Sequence, residues 1–270
     1  VGSSTLVETK TIFKKVHVGI PYSMISGELL PLVEERGLNP EISFDADALD
    51  NLEPASLAII AEALGMKGLR TTLHAPFMDM APGSPDPMVR TVLRHRLEQM
   101  LHVAMELRPE TVVCHAGYED RRYRHMKGQW LEYSLSLWSW FAPRLHELGA
   151  RLVLENVFEK GPEELYDLFE SLYGEGVGFC LDVGHQSAFS SASLQRWLDV
   201  LGRFLRQLHL HDNRGEADEH LAIGTGIVDF HFLFSWLRLN RDVPPVITIE
   251  PHLREDIELS ILNLTKLWPW

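Results

Sequence analysis

Cysteine is almost absent from this 270-residue chain: Cys114 and Cys180 are the only two. Two thiols cannot build a disulfide framework, so the expected setting is a reducing one, the cytoplasm. Positive charge is also in deficit, with 25 Lys and Arg against 38 Asp and Glu, a formal net charge of −13. That balance excludes a protein held on nucleic acid or anionic membrane by an overall basic surface. It leaves room for a locally positive cleft, because bound cations reverse the sign of a site. No apolar run approaches the ~20 residues of a membrane-spanning helix, and the opening VGSSTLVETK has no signal-peptide pattern. Low-complexity tracts, charged blocks and Pro/Gly linkers are missing too, so nothing divides the chain.

What is present is an alternation. Short apolar or β-branched runs occur at Val16–Pro21, Glu41–Asp45, Arg70–Pro76, Thr111–Gly117, Arg151–Val157, Val177–His185, Arg206–Asn213 and Pro245–His252. Their near-continuous hydrophobicity is that of strands covered on both faces. Between them lie segments with helical spacing, such as VRTVLRHRLEQMLHVAMEL, and Gly65 and Gly149 stand where helix C-caps would. Repeated β-then-α units imply a parallel sheet with right-handed crossovers. Eight units in this length predict a closed (β/α)₈ TIM barrel over residues 16–270, after a polar extension over 1–15. A doubly wound open sheet is the structural alternative.

In such a barrel the chemistry sits at the C-terminal strand ends. There the runs carry His74, His115, Glu155, Asp182 with His185, then His209, His211 and Asp212, and finally Glu250 and His252; the loop after strand 7 adds Asp218 and His220. Seven of the 13 histidines fall in this set. A single such residue is usually a helix cap or a satisfied polar group. Together, at one end of successive strands, they would be costly to bury without a cation. Nitrogen and oxygen donors of this kind suit Zn, Mn or Fe.

The ordered motifs LHAPF, CHAGY, LENVF, CLDVGH, LHLHD, ADEHLAIGTGIVDF and IEP resemble those of the xylose isomerase-like TIM-barrel superfamily, also called AP endonuclease family 2. It includes endonuclease IV, sugar isomerases and ketose 3-epimerases. The resemblance runs from strand 3 to strand 8; strands 1 and 2 carry no matching motif. It implies a trinuclear cluster: His74 and His115 on one ion with Glu155 bridging, Asp182, His209 and Glu250 completing the second site, and His185, Asp218 and His220 on the third. His211, Asp212 and His252 are candidates to orient these ligands.

Two chemistries follow, needing one to three divalent ions per chain. Taken first is phosphoester hydrolysis by the full nine-residue set, with Glu155 and Glu250 acting on the attacking water. His74 and His115 favour it, since a mononuclear sugar site does not require them. The alternative is sugar or sugar-phosphate isomerisation or epimerisation on one ion, with Glu155 and Glu250 as acid–base pair. His185 and Arg214 match the epimerases' substrate-binding positions approximately. Arg121, Arg122 and Arg124, beside His125, could grip a substrate phosphate or form a solvated loop. A DNA substrate is disfavoured, because the loop FMDMAPGSPDPM is acidic where duplex binding needs phosphate-contacting cations. The expected partner is a small phosphorylated or sugar-like molecule, and no membrane. A non-catalytic barrel, which binds a metal-chelated small molecule or keeps a structural metal site, is the remaining reading; structural sites close with four ligands, whereas this set would leave substrate positions open. Cys114, Cys180, Trp130, Trp138 and Trp140 read as packing residues; His95, His102 and His146 read as surface or capping residues.

Overall fold

The computed structural model describes residues 12–270. Of the expected polar extension, residues 1–11 lie outside that range, while Ile12 is buried against the core. Eight strands are present: β1 (His17–Pro21), β2 (Asn39–Ser43), β3 (Thr72–His74), β4 (Thr111–His115), β5 (Arg151–Glu155), β6 (Gly178–Asp182), β7 (Leu205–Leu210) and β8 (Val246–Ile249). They close in sequence order into one barrel, every pair parallel. The pairing of β1 with β8 removes the open-sheet alternative.

Outer helices separate the strands: α1 (Leu30–Arg36), α2 (Pro54–Lys67), α3 (Pro87–Leu107), α4 (Lys127–Glu147), α5 (Tyr166–Leu172), α6 (Leu194–Leu201), α7 (Phe230–Asn240) and α8 (Arg254–Leu267). Their starts are local. Asp86 accepts from Met88 N at 2.8 Å to open α3, and Asp229 from Phe232 N at 2.8 Å to open α7. One expected stop is corrected: Gly65 lies inside α2, which ends at Gly68 with φ 62°. Gly68, not Gly65, takes the left-handed geometry that a C-cap needs. Trp130 and Trp138 are buried in α4, and Trp140 is partly buried under the guanidinium of Arg94. Cys114 is buried in the main core, whereas Cys180 packs with Val113 and Val153 in a separate cluster.

At the first residue of β1, His17 is fully buried and neither ring nitrogen has a hydrogen-bond partner. Burial pulls its pKa down to about 4, against weaker support from Glu41. The folded protein therefore keeps His17 neutral while the unfolded chain protonates it near its usual value. Stability should be complete above pH 6.5 and decline as pH falls to about 4, by roughly 3 kcal/mol from this group alone. Urea titrations of wild type and His17→Gln across that window check this: the variant's curve should be flatter, and parallel curves would refute the assignment.

Candidate metal centre and active site

The strand register sets the site. His115 lies level with Glu155 across β4 and β5, and Asp182 lies level with His209 across β6 and β7. Asn156, the residue after Glu155, clamps β5 to β6: its Nδ2 donates to the Asp182 carbonyl and its Oδ1 accepts from Asp182 N, both at 3.0 Å. Asp182 then caps the short helix Val183–Phe189 by accepting from His185 N at 2.6 Å. That turn brings His185 to the cavity. Gly184 within it is obligatory, because a Cβ there would stand 1.9 Å from the His211 ring.

His74, His185, His220 and His209 share one design: one ring nitrogen rests on a fixed acceptor and the other is aimed at carboxylates. Nδ1 donates to a backbone carbonyl in His74 (Ala75 O, 2.7 Å), His185 (Asn156 O, 3.1 Å) and His220 (Glu250 O, 2.8 Å). Their Nε2 atoms face Glu155 Oε2 at 3.0 Å, Asp218 Oδ2 at 3.3 Å and Asp218 Oδ2 at 3.1 Å, respectively. His209 is turned the other way: Nε2 is 2.9 Å from Glu41 Oε1, while Nδ1 faces Glu250 Oε1 at 3.1 Å and Glu155 Oε1 at 3.4 Å. A neutral imidazole so anchored presents a lone pair to a carboxylate, and two acceptors face each other. Only a proton or a cation between them resolves that contact, and orientation of histidine by an outer acceptor is the usual build of a metal site.

The donor atoms gather into groups whose members lie within 4.8 Å of one another: His74, His115 and Glu155; Glu155, Asp182 and His209; Asp182, His211 and Glu250; Glu41, His209 and Glu250; and His185, His211, Asp218 and His220. All nine ligand candidates therefore converge, with Glu155 shared between groups. His209 Nδ1, His211 Nδ1 and Asp218 Oδ1 have no hydrogen-bond partner. Such orphaned donors, in a pocket of nitrogen and carboxylate oxygen, fit divalent cations.

Glu41 has no place in the motif pattern, yet it is fully part of the floor. Its Oε2 accepts from Gln207 Nε2 (2.6 Å), Thr72 Oγ1 (2.7 Å) and Thr248 Oγ1 (3.0 Å), which leaves Oε1 for His209. The available signal is a carboxylate inside the apolar run EISFD. Glu41 sits two residues before the last strand residue, Ser43, and so lies below the level where strand-end residues are sought.

Other expected residues divide. Asp212 turns to the backbone: its buried carboxylate accepts from Gly224, Gly226, Val228 and its own neighbour Asn213. His252 is exposed and stacks on His220, with ring centroids 4.0 Å apart. Arg214 is turned to Glu219 and does not line the cavity. Arg121 and Arg124 line a neighbouring groove of about 400 Å³, where Arg124 pairs with Asp120. Arg122 does line the main cavity, held by Glu119 at 2.8 Å.

That cavity has a volume of about 640 Å³ and opens over the donor groups, with Phe77 and Phe158 at its wall. Its size suits a small molecule. Burial alone would raise the Glu155 pKa, but His209 and His115 beside it hold the group well below the usual carboxylate range. Burial does raise Glu250, reinforced by Asp182 and Glu155. Two carboxyls of one cavity are thus driven in opposite directions.

Known proteins share this architecture. The TTHB071 protein from Thermus thermophilus, solved after soaking with ZnCl2, superposes with a TM-score of 0.79 at 30% identity, covering 94% of this chain and 97% of that one. A D-tagatose 3-epimerase-like protein shares the fold at a TM-score of 0.77 and 23% identity, over 93% of this chain and 97% of its own. The uncharacterized protein MJ1311 of Methanocaldococcus jannaschii is 28% identical over 202 residues, 70% of this chain and 69% of its own. The pattern of one family matches residues 40–266, and the chain belongs to it: the xylose isomerase-like TIM barrel family.

Proposed function

We propose that this protein is a divalent-metal-dependent isomerase or epimerase of a sugar-like substrate, with Glu155 and Glu250 as its acid–base pair. The observation that carries this reading is their convergence: both carboxylates reach His209 Nδ1, at 3.4 and 3.1 Å, and both line the cavity. The wall chemistry supports an uncharged polyol over a phosphate ester. Among the described residues Arg122 is the one Lys or Arg lining the cavity, and Glu119 already pairs with it. The hydrolytic reading taken first from the sequence gives way on that ground, and the epimerase-like neighbour agrees in direction.

Glu155, Asp182, His209 and Glu250 would hold the ion at the reacting centre, and His74 and His115 a second one through Glu155. A bound cation supplies Lewis-acid polarisation of a carbonyl and its adjacent hydroxyl. Glu155, kept anionic by the imidazoles around it, takes the carbon-bound proton. Glu250 holds and returns a proton to the substrate. Phe77 and Phe158 offer apolar faces to the C–H side of a sugar ring or chain. Glu41 fixes the His209 ring beneath them.

The test is exchange. The metal-loaded protein, incubated in D2O with a panel of ketoses and aldoses, should place deuterium on the carbon next to the carbonyl of one of them. Glu250→Gln should slow that exchange by about 10²–10⁴-fold. Metal-dependent hydrolysis of bis(p-nitrophenyl) phosphate, with no exchange into any sugar, would overturn the reading. It would establish phosphoester hydrolysis instead, which the adjoining donor groups favour because proton transfer alone needs fewer ions.

A further inference from the structure

The cavity over the donor groups has two unlike sides. The chain around the ends of β6, β7 and β8 supplies the polar one, with His185, Asp218, His220 and Glu250, whereas the loops after β3, β4 and β5 supply an apolar one. Phe77 is 49% exposed, Met78 73% and Phe158 50%, although each lines the cavity wall. Loose loops are not the cause. After β3 the chain is buried again at Pro82, Gly83 and Ser84. A Cβ on Gly83 would stand 2.0 Å from the Trp130 ring, and one on Gly117 would stand 2.6 Å from Pro82. The Trp130 indole donates to the Gly117 carbonyl at 3.1 Å, which locks that contact. After β5, Val157 N donates to the buried Glu159 carboxylate at 2.7 Å, and the Lys160 carbonyl accepts from Ser190 Oγ at 2.8 Å and Ser191 N at 3.0 Å. Phe158 is held between those ties. Phe77 stands beside the donors, its ring centroid 5.8 Å from that of His115 and 6.0 Å from that of His74. Phe158 stands one ring further away: it packs on Phe189 at 5.1 Å, and Phe189 stacks on His185 at 5.9 Å.

We infer that the substrate carries an apolar substituent, aromatic or alkyl, which lies between Phe77, Met78 and Phe158 while its hydroxy-ketone end faces the donor groups. This rests on the isomerase or epimerase reading above and narrows it to a substituted sugar in place of a free one. Large apolar side chains left in water on a concave wall mark contact with an apolar ligand. The three here come from two separate loops and meet over one cavity. A free sugar covers one aromatic ring with its C–H face, but its remaining edges carry hydroxyls. Against the Met78 thioether and a second phenyl ring those hydroxyls would lose water and gain no partner. An apolar substituent has no hydrogen bond to lose there and is favoured by burial. Cavity size agrees, since about 640 Å³ falls in the range that encloses molecules larger than a single sugar. Because both loops are fixed by packing, the wall is formed before the ligand arrives and little ordering cost opposes binding.

The test uses the full chain loaded with zinc and two probes, acetohydroxamate and 4-phenylbutanohydroxamate. Each chelates a divalent ion through two adjacent oxygens, as a hydroxy-ketone does, and only the second carries an aromatic tail. Calorimetric titration gives both dissociation constants. Wild type should bind the phenyl probe about 10–100-fold more tightly than the small one. Met78→Ser and Phe158→Ser should each cut that ratio by at least about 3-fold. Both side chains are half-exposed or more, so neither change opens the core. A ratio near one in wild type, or a ratio that survives both substitutions, overturns the apolar substituent; binding of acetohydroxamate in that case leaves the metal-dependent reaction standing. Zinc-loaded protein that binds neither probe overturns both readings.

Discussion

Replacing Glu155 by Gln should abolish measurable turnover, a loss of at least about 10²–10⁴-fold in kcat, and should reduce the ions bound per chain. The carboxylate is 1% exposed and lies within 3.6 Å of His74, His115, His185 and His209. It joins the donor group of His74 and His115 to that of Asp182 and His209. An amide at this place keeps the volume but cannot accept a proton from carbon, and it cannot bridge two cations with two charged oxygens. Its NH2 group would also point a donor where an imidazole lone pair or a metal ion belongs. Glu250→Gln provides the comparison. Glu250 shares fewer of these contacts, so its loss should cut turnover while more of the metal stays bound. Exchange kinetics and elemental analysis on the two variants read the difference, and equal metal content with unchanged kcat in Glu155→Gln would eliminate Glu155 from the chemistry.

Asp212→Ala should destabilise the fold by about 3–5 kcal/mol. The side chain is fully buried, and its oxygens accept from Asn213 N (2.9 Å), Val228 N (3.0 Å), Gly224 N (3.0 Å) and Gly226 N (2.8 Å). Its backbone exchanges a pair of hydrogen bonds with Leu221. One carboxylate thus folds the whole stretch between β7 and α7, the stretch that carries Asp218 and His220. Truncation leaves amides that can recover partners only by taking in water and loosening the loop. Gly226 cannot be traded for a larger residue in compensation, since a Cβ there would meet the Asn213 carbonyl at 2.1 Å. Thermal unfolding of the apo proteins should show a drop of roughly 10 °C for Asp212→Ala. A shift within about 2 °C of wild type would show that the loop is held by other contacts.

Glu41 and Asp212 mark the two ways in which sequence reasoning stops short. Glu41 belongs to the floor because of depth: β2 brings it beside Gly19 and Thr72, two steps below the rim. Nothing in EISFD alone distinguishes that Glu from one at a solvent-facing strand start. Asp212 adjoins His211 in LHLHD and reads, like it, as a residue that orients ligands, but a one-residue step along a strand end turns its side chain toward the opposite side, into a loop. The arginines differ for another reason. Arg121, Arg124 and Arg214 are long, exposed or half-exposed side chains with acidic residues a few positions away, and surface pairing settles where Arg124 and Arg214 point. A flexible cation goes to the nearest carboxylate, and sequence order does not say which carboxylate that will be.

Much of the architecture is determined by the sequence alone. Eight buried-strand runs alternating with helices leave few topologies for a chain of this length, and a right-handed crossover at each step closes the barrel. The site's position follows too, because side chains at the last strand residues must share one rim, and the histidines and acids of this chain are concentrated there. What only the tertiary structure decided is the pairing of atoms within that rim: which nitrogen of each imidazole is anchored, that Glu155 is shared, that Glu41 stands under His209, and that His211 faces Asp182 with one nitrogen and Asp218 with the other. The physical reason is one of range. Strand and helix formation answer to local spacing and burial, whereas a hydrogen bond or a ligand group is settled within a few tenths of an ångström by strands that are far apart in the chain.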